Sequence, residues 1–391
     1  MPLNVNLMAV VGLAAILGAF HEALVGPATI DLGYSPLRVL DLSESHLPSR
    51  ITATLAGDSK WSNPENHLHN AKPLLEGELI GPETVVAGPD GSLYFMESGS
   101  GRVTWAPHGN LSAHEVYADV GGAPLGAAVD PHGNLVYCDA AKGLMMVEAG
   151  TRRAVLLTDR VSGASALHPG SHIFFPDDAA VAKDGTVFFT DACEVAPAFS
   201  KVDNKFNVME ASARSLLQGP SGRLLAYYPR TKETHVLADG IYFANGVALS
   251  EDERFLVVAA TYSARLYRFW IQGPEAGRLE PFVDLVGAPD GVASGARGTF
   301  WVAMPSPLPW SFMAAARSRR ARWLVGMLPR NMHPAPARVG MLAQISNQGR
   351  VLRYMLDSEG RTINMLTSVN EHNHKLYLGN LHEKCAFVYN L

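Results

Sequence analysis

The run FANGVALSEDERFLVVAA, from Phe243 to Ala260, sets the pattern for the chain. A polar residue, Asn245, stands just before a short apolar strand, a charged turn follows, and a second strand comes next that is rich in β-branched and aromatic residues. The same unit recurs as GPETVVAGPDGSLYFME from Gly81, PLGAAVDPHGNLVYCD from Pro124 and PDDAAVAKDGTVFFTD from Pro176. It returns as APDGVASGARGTFWVA from Ala288 and SVNEHNHKLYLG from Ser368. Asp-Gly and Gly-Asn turns bound most of these strands, as β-hairpins require, and no helical period competes over most of the chain. Six degenerate hairpin repeats predict an all-β fold, a six-bladed β-propeller. The copies are unevenly spaced, so the longer intervals must carry loops or insertions. A closed ring also needs its last blade completed. Arg50 to Ala56 (RITATLA) is expected to supply a strand that pairs with the C-terminal sheet and removes an exposed edge.

With 391 residues, 47% of them hydrophobic, the chain can bury a sizeable core, and its 36 glycines and 25 prolines suit a turn-dense β protein. Three parts are expected: a leader over 1–30, a lead-in with the closing strand over 31–80, and the propeller over 81–391. The leader run Leu7 to Phe20 is uncharged, which fits a signal-peptide core or a signal anchor. That places the propeller in the endoplasmic reticulum and secretory pathway, lumenal or extracellular, either anchored or released. The Asn110-Leu111-Ser112 sequon is compatible with that compartment. A net charge of −5 without a long basic tract argues against a nucleic-acid partner. Cys138, Cys193 and Cys385 allow at most one intramolecular disulfide, and Cys138 with Cys193 could bridge neighbouring blades.

The residue just before the innermost strand of each blade faces the central channel. At that place the copies carry Glu83, Asp177 or Asp178, Asn245 and Asp290. Each could merely cap its own turn. Together they would bring carboxylates and an amide onto one axis, where burial demands either a cation or raised pKa values. An all-oxygen set of this charge suits a hard divalent ion, Ca2+ ahead of Mg2+. One ion is expected in the channel, held by Glu83, Asp177, Asn245 and Asp290.

The stretch Gly222 to Met304, GRLLAYYPRTKETHVLADGIYFANGVALSEDERFLVVAATYSARLYRFWIQGPEAGRLEPFVDLVGAPDGVASGARGTFWVAM, resembles the core of strictosidine synthase-like proteins. GPETVVAGPDGSLYF and LVYCDAAKGLMMV extend the resemblance towards the N-terminus. FWVAMPSPLPW and VNEHNHKLYLGNLHEKCAFVYNL are most similar to the group of adipocyte plasma membrane-associated proteins within that family. The resemblance runs from about Gly81 to the end and implies a six-bladed propeller related to paraoxonases and gluconolactonases. It also exposes departures. The catalytic glutamate of strictosidine synthases falls at Thr367, which argues against amine and aldehyde condensation. The calcium ligands of paraoxonase-like enzymes fall at Glu83, Asp177, Asn245 and Asp290, with Asp177 and Gly291 standing where Asn is usual. The paraoxonase histidine falls at Leu125.

The expected chemistry is therefore metal-assisted hydrolysis of a small ester or lactone. The cation would polarise the carbonyl, Asp177 or Asp178 would orient water, and Asp290 would complete the catalytic set. The absence of Gly-x-Ser-x-Gly, His-Glu-x-x-His and phosphate-binding loop motifs counts against the commonest serine, zinc and nucleotide enzymes. The other class is a non-catalytic, membrane-associated binding or scaffold propeller. His67 with His69, and His372 with His374, share strand spacing but lack further zinc-type partners and read as turn histidines. A helical insertion is expected near 305–338, where Arg317, Arg319, Arg320, Arg322 and Arg330 interleave with Trp310, Phe312, Trp323 and Leu324. Its stretch 310–330 could meet a membrane surface or cover the channel, or simply pack with a solvated basic face.

Overall fold

The computed structural model describes residues 67–308, 316, 318–327 and 338–391, with two short strands, Thr29–Asp31 and Pro36–Arg38, ahead of them. Every sequence repeat becomes the two inner strands of a four-stranded antiparallel sheet, and six such sheets form the blades. Blades 1 to 6 open with the inner strands Pro82–Ala87, Pro124–Val129, Pro176–Val181, Ala244–Leu249, Val292–Gly295 and Leu366–His372. Each inner strand packs against those of the blades on either side, so the six line a central channel.

Blades bury both faces against their neighbours, which is why their strands are so continuously apolar. Phe255–Ala260 is buried throughout. Phe255, Val257 and Leu266 of blade 4 pack with Phe300, Val302 and Ala343 of blade 5 in one such interface. An acidic residue at the end of the second strand recurs for a structural reason. Glu97 accepts from the Ile80 amide at 2.8 Å, Asp139 from the Ala123 amide at 3.0 Å and Asp191 from the Phe175 amide at 2.7 Å, each pinning the loop that enters its own blade.

The ring closes through Lys72–Leu74, which corrects the expectation for Arg50 to Ala56. Leu74 pairs with Ala386, Pro73 with Phe387 and Lys72 with Val388, making the outer strand of blade 6. Residues 50–56 lie outside the described residues. Three residues containing a proline carry no strand period, but an outer edge needs no amide from Pro73 and accepts it. All three cysteines are free and buried, so no disulfide joins the blades.

Inner strands start, and second strands end, at the same end of the ring. Two insertions rise there. Blade 3 adds a small hairpin, Phe199–Ser200 with Lys205–Phe206, and a helix α1, Val208–Gln218. Asn207 caps α1, accepting from the Glu210 amide at 3.3 Å while its Nδ2 donates to the Glu210 carboxylate at 3.1 Å. Blade 5 adds helix α2, Arg319–Met327, within the expected insertion, and α2 packs against α1. Residues 309–315, 317 and 328–337 of that insertion lie outside the described residues. Arg322 is only 2% exposed and donates to the Leu217 carbonyl at 3.3 Å near the end of α1. One cation of the expected solvated face therefore turns inward.

Candidate functional site

Five of the six inner strands open with a register irregularity, between Pro82 and Thr84, Pro124 and Ala127, Pro176 and Ala179, Ala244 and Val247, and Leu366 and Ser368. A bulge leaves its extra residue outside the ladder and re-aims its side chain. The residues so released are Glu83, Leu125, Asp177, Asn245 and Thr367. Blade 5 places Asp290 at the same level, its amide donating to the Ala303 carbonyl at 2.9 Å ahead of the strand. Glu83, Asp177 and Asn245 thus sit within opening bulges rather than before the strands, whereas Asp290 does precede its strand.

Hydrogen bonds lace these openings into one rim. Gly246 N donates to Asp290 O at 3.1 Å and Gly291 N to Thr367 O at 2.7 Å. The hydroxyls of Thr367 and Ser368 donate to Glu83 O at 2.7 and 2.8 Å. Asn245 Nδ2 donates to Thr261 Oγ1 at 3.3 Å, and Thr261 in turn donates to Pro289 O at 2.7 Å. This commits the amide nitrogen and leaves the carboxamide oxygen as the accepting end.

Glu83, Asp177 and Asn245 are each 5% exposed. Burial pushes the Glu83 carboxyl up to about 8, with the Asp178 charge adding to it and hydrogen bonds from Thr84 and Thr367 opposing. Asp177 is raised well above the ordinary range by burial, then by Asp290, Glu83 and Asp178. Asp290 is raised well above it by burial and by Glu83, against a hydrogen bond from Asn245. Among the described residues no ion pair reaches any of these three carboxylates, whereas buried Asp191 has the Arg223 guanidinium. Asp178 differs. Its Oδ2 accepts from the Val247 amide at 3.0 Å and its Oδ1 from the Ala179 amide at 2.8 Å, so it ties blade 3 to blade 4. Burial still raises it to about 7. Of the adjacent pair, Asp177 is the one with oxygens left for the channel.

Above the rim lies an apolar cover. Leu125, Phe175, Phe243 and Leu217 form its buried part, and Trp323 and Val325 of α2 pack on it with Tyr262. Phe243, at a φ of 62°, turns the chain into the blade-4 bulge, and its ring rests on Phe175 and Tyr262. Tyr262 donates to Ser212 O of α1 at 2.8 Å, holding the cover to blade 4.

Comparisons with known proteins now have a geometry to meet. The strictosidine synthase family matches residues 177–274, from the blade-3 bulge through most of blade 4. The adipocyte plasma membrane-associated protein of Gallus gallus is 32% identical over 81% of this chain and 77% of its own, and the Homo sapiens protein is 30% identical over the same shares. The chain belongs to the strictosidine synthase-like family. Another relative, strictosidine synthase-like 6 of Arabidopsis thaliana, is 32% identical over 71% of this chain and 67% of its own. A solved gluconolactonase from Xanthomonas campestris shares the fold at TM-score 0.58 and 17% identity, over 82% of this chain and 90% of that one.

Within this strictosidine synthase-like rim, the bulge positions of blades 2 and 6 hold Leu125 and Thr367, neither of which can take a proton at neutral pH. The donor set is all oxygen and anionic, which fits a hard divalent cation such as Ca2+. Glu83, Asp177, Asn245 and Asp290 are the residues that would hold it. Among the described residues no three His, Cys, Asp or Glu side chains close into a metal cage. Glu83 Oε2 accepts from Thr84 Oγ1 at 2.5 Å, so binding would redirect that carboxylate. The histidine pairs do not gather. His67 and His69 flank a buried Leu68 on a short 3-10 turn, and His374 stands in a turn at φ 60°. Asn110 and Ser112 lie exposed in a loop of blade 1.

Proposed function

We propose that this protein hydrolyses an ester or lactone at the mouth of the channel, with Ca2+ as its metal. The observation that carries the reading is the set of three carboxylates, buried Glu83 and Asp177 and half-buried Asp290, gathered beside Asn245 with no ion pair to a basic side chain among the described residues. Such a charge needs a proton or a cation, and structural economy alone would favour apolar packing. A bound divalent cation supplies the charge that polarises a carbonyl and stabilises the anion developing on its oxygen. Thr261 holds the Asn245 carboxamide so that its oxygen faces the rim. Asp177, its proton affinity raised by burial and by Asp290, orients a water and accepts its proton. Asp178 keeps blades 3 and 4 in register through its two amide bonds. Phe175, Phe243 and Trp323 exclude bulk water and offer an apolar surface to the remainder of the substrate.

A second reading, a membrane-associated binding propeller without turnover, draws on Leu125 and Thr367, which leave two bulge positions without a proton carrier. The apolar leader run Leu7 to Phe20 supports entry into the secretory pathway for either reading. Among the described residues no helix is long and apolar enough to cross a membrane. One experiment separates the two: arylester and lactone hydrolysis by the full chain with calcium and after chelation, beside Asn245→Ala. Calcium-dependent turnover lost in the variant supports the hydrolase. Calcium binding without turnover leaves the binding propeller.

A further inference from the structure

At the end of the ring opposite the rim, where the hairpin turns lie, a cleft of about 360 Å³ opens between blades 3 and 4. That is the size of a small-ligand site. Phe188 and Leu237 of blade 3 and Phe269 of blade 4 line it, with Asp184 from the blade-3 turn, Glu253 from the blade-4 turn and the partly exposed Tyr228 at its edge. No Lys, Arg or His side chain belongs to the lining, and the basic residues of the surrounding turns, Lys183, Arg230 and Arg254, are exposed.

Strand register explains the space. The second, third and outer strands of blades 3 and 4 pair alike, Asp191 with Arg223 and Leu224 with Ala238 in one, Ala260 with Arg265 and Leu266 with Val283 in the other. Counting along them, Ala226 holds the position of Arg268, Tyr228 that of Trp270 and Leu237 that of Phe282. Between blades 4 and 5 the Arg268 guanidinium fills this place. It lies 4.4 Å from the Trp270 ring centroid and 5.4 Å from that of Phe282, and its Nε donates to the Glu280 carboxylate at 2.9 Å. Blade 3 presents only the Ala226 methyl there. Its carboxylates come from the turns instead, since His235 stands at the position of Glu280 and pairs with Glu233. One oxygen of Asp184 accepts from the Thr186 amide at 2.9 Å and one of Glu253 from the Lys183 amide at 3.1 Å, which fixes both and leaves each a second oxygen for a ligand. Burial and then the Asp184 charge raise the Tyr228 hydroxyl, so these two groups share one edge. The Lys183 ammonium comes within 4.0 Å of Glu253 but is 79% exposed, a contact that an incoming cation displaces at small cost.

We infer that this cleft, separate from the channel, binds a small guanidinium compound, its apolar stem against Phe188, Leu237 and Phe269 and its charge between Tyr228 and the carboxylates of Asp184 and Glu253. A guanidinium is weakly hydrated, stacks on aromatic faces and donates to carboxylates, which is what the walls and the edge supply. The test titrates the full chain with butylguanidinium, and with butylurea as its neutral isostere, by ligand-observed NMR. Saturable binding of butylguanidinium is expected, with butylurea several-fold weaker. Asp184→Asn combined with Glu253→Gln should weaken the binding several-fold at unchanged thermal unfolding. Ala226→Arg, which returns the chain's own guanidinium to the cleft, should abolish it, and should that variant fail to fold the carboxylate variant still decides. Absent binding, butylurea binding as tightly, or an affinity that the folded variants leave unchanged would each overturn the inference.

Discussion

At the scale of single residues, the rim is a charge problem with two solutions, protons or a cation. Glu83 is held near 8 and Asp178 near 7, both above the ordinary range of about 4 for free carboxyls, so between those limits the folded state keeps protons that the unfolded chain has released. Stability in chelator is therefore greatest at the acid end and falls as pH climbs from about 4 to about 8. Calcium competes with those protons, so its stabilising effect should grow over the same interval. Thermal unfolding at stepped pH, with calcium and with chelator, checks both slopes; a melting temperature in chelator that does not fall with pH would contradict the first. Asp290→Asn removes one charge at constant shape. It should raise the melting temperature of the chelated protein above pH 7 and erase the increment from calcium. An increment that survives would take Asp290 out of the ligand set. The sequence pointed to Glu83, Asn245 and Asp290 through their repeat position, but not to a division of labour between Asp177 and Asp178. That depended on which carboxylate the Val247 amide of the next blade reaches.

The elements add what repetition hides. Five of the inner strands start with bulges because the rim must bring six strands close together, and Gly246 shows how close. A Cβ at Gly246 would sit 2.3 Å from Val292 N and 2.4 Å from Asp290 O, both backbone atoms that cannot rotate away. Gly246→Ala should cost more than about 2 kcal/mol and weaken calcium affinity by displacing Asn245 from Asp290. Gly150→Ala, with nothing within 4 Å of the added carbon, should do neither. Denaturant unfolding and calorimetric calcium titration of the pair measure this, and equal behaviour would rule out close blade approach as the reason for glycine. Helix α1 escaped the sequence reading since its 11 residues lie in an interval between strands, yet the capping box of Asn207 and Glu210 was a readable signal. The basic helix was legible as an element. Which way Arg322 turned was not, because the Leu217 carbonyl it meets comes from another blade's insertion.

For the whole molecule, ring closure is the cooperative step. Only three residues, Lys72–Leu74, complete blade 6, and they cover an edge that would otherwise present unpaired backbone groups. A chain beginning at His67 keeps that strand and a chain beginning at Gly77 lacks it, while both lack everything before 67. The shorter one is expected to melt at a clearly lower temperature and to associate through the open edge, as thermal unfolding and size-exclusion chromatography would report. Equal melting and a monomeric profile would mean that blade packing alone closes the ring.

Local alternation and turn chemistry, repeated six times, were enough to read a propeller and to pick the polar residues that head its inner strands. Those signals act over a few residues, and every blade repeats them. Closure by Lys72–Leu74, the bulges that aim Glu83, Asp177 and Asn245, the free state of the cysteines and the cover built from α1 and α2 were decided only in three dimensions. Closure and the cover rest on contacts between distant parts of the chain, and the bulges on a register slip inside each local hairpin, none of which the strand period shows.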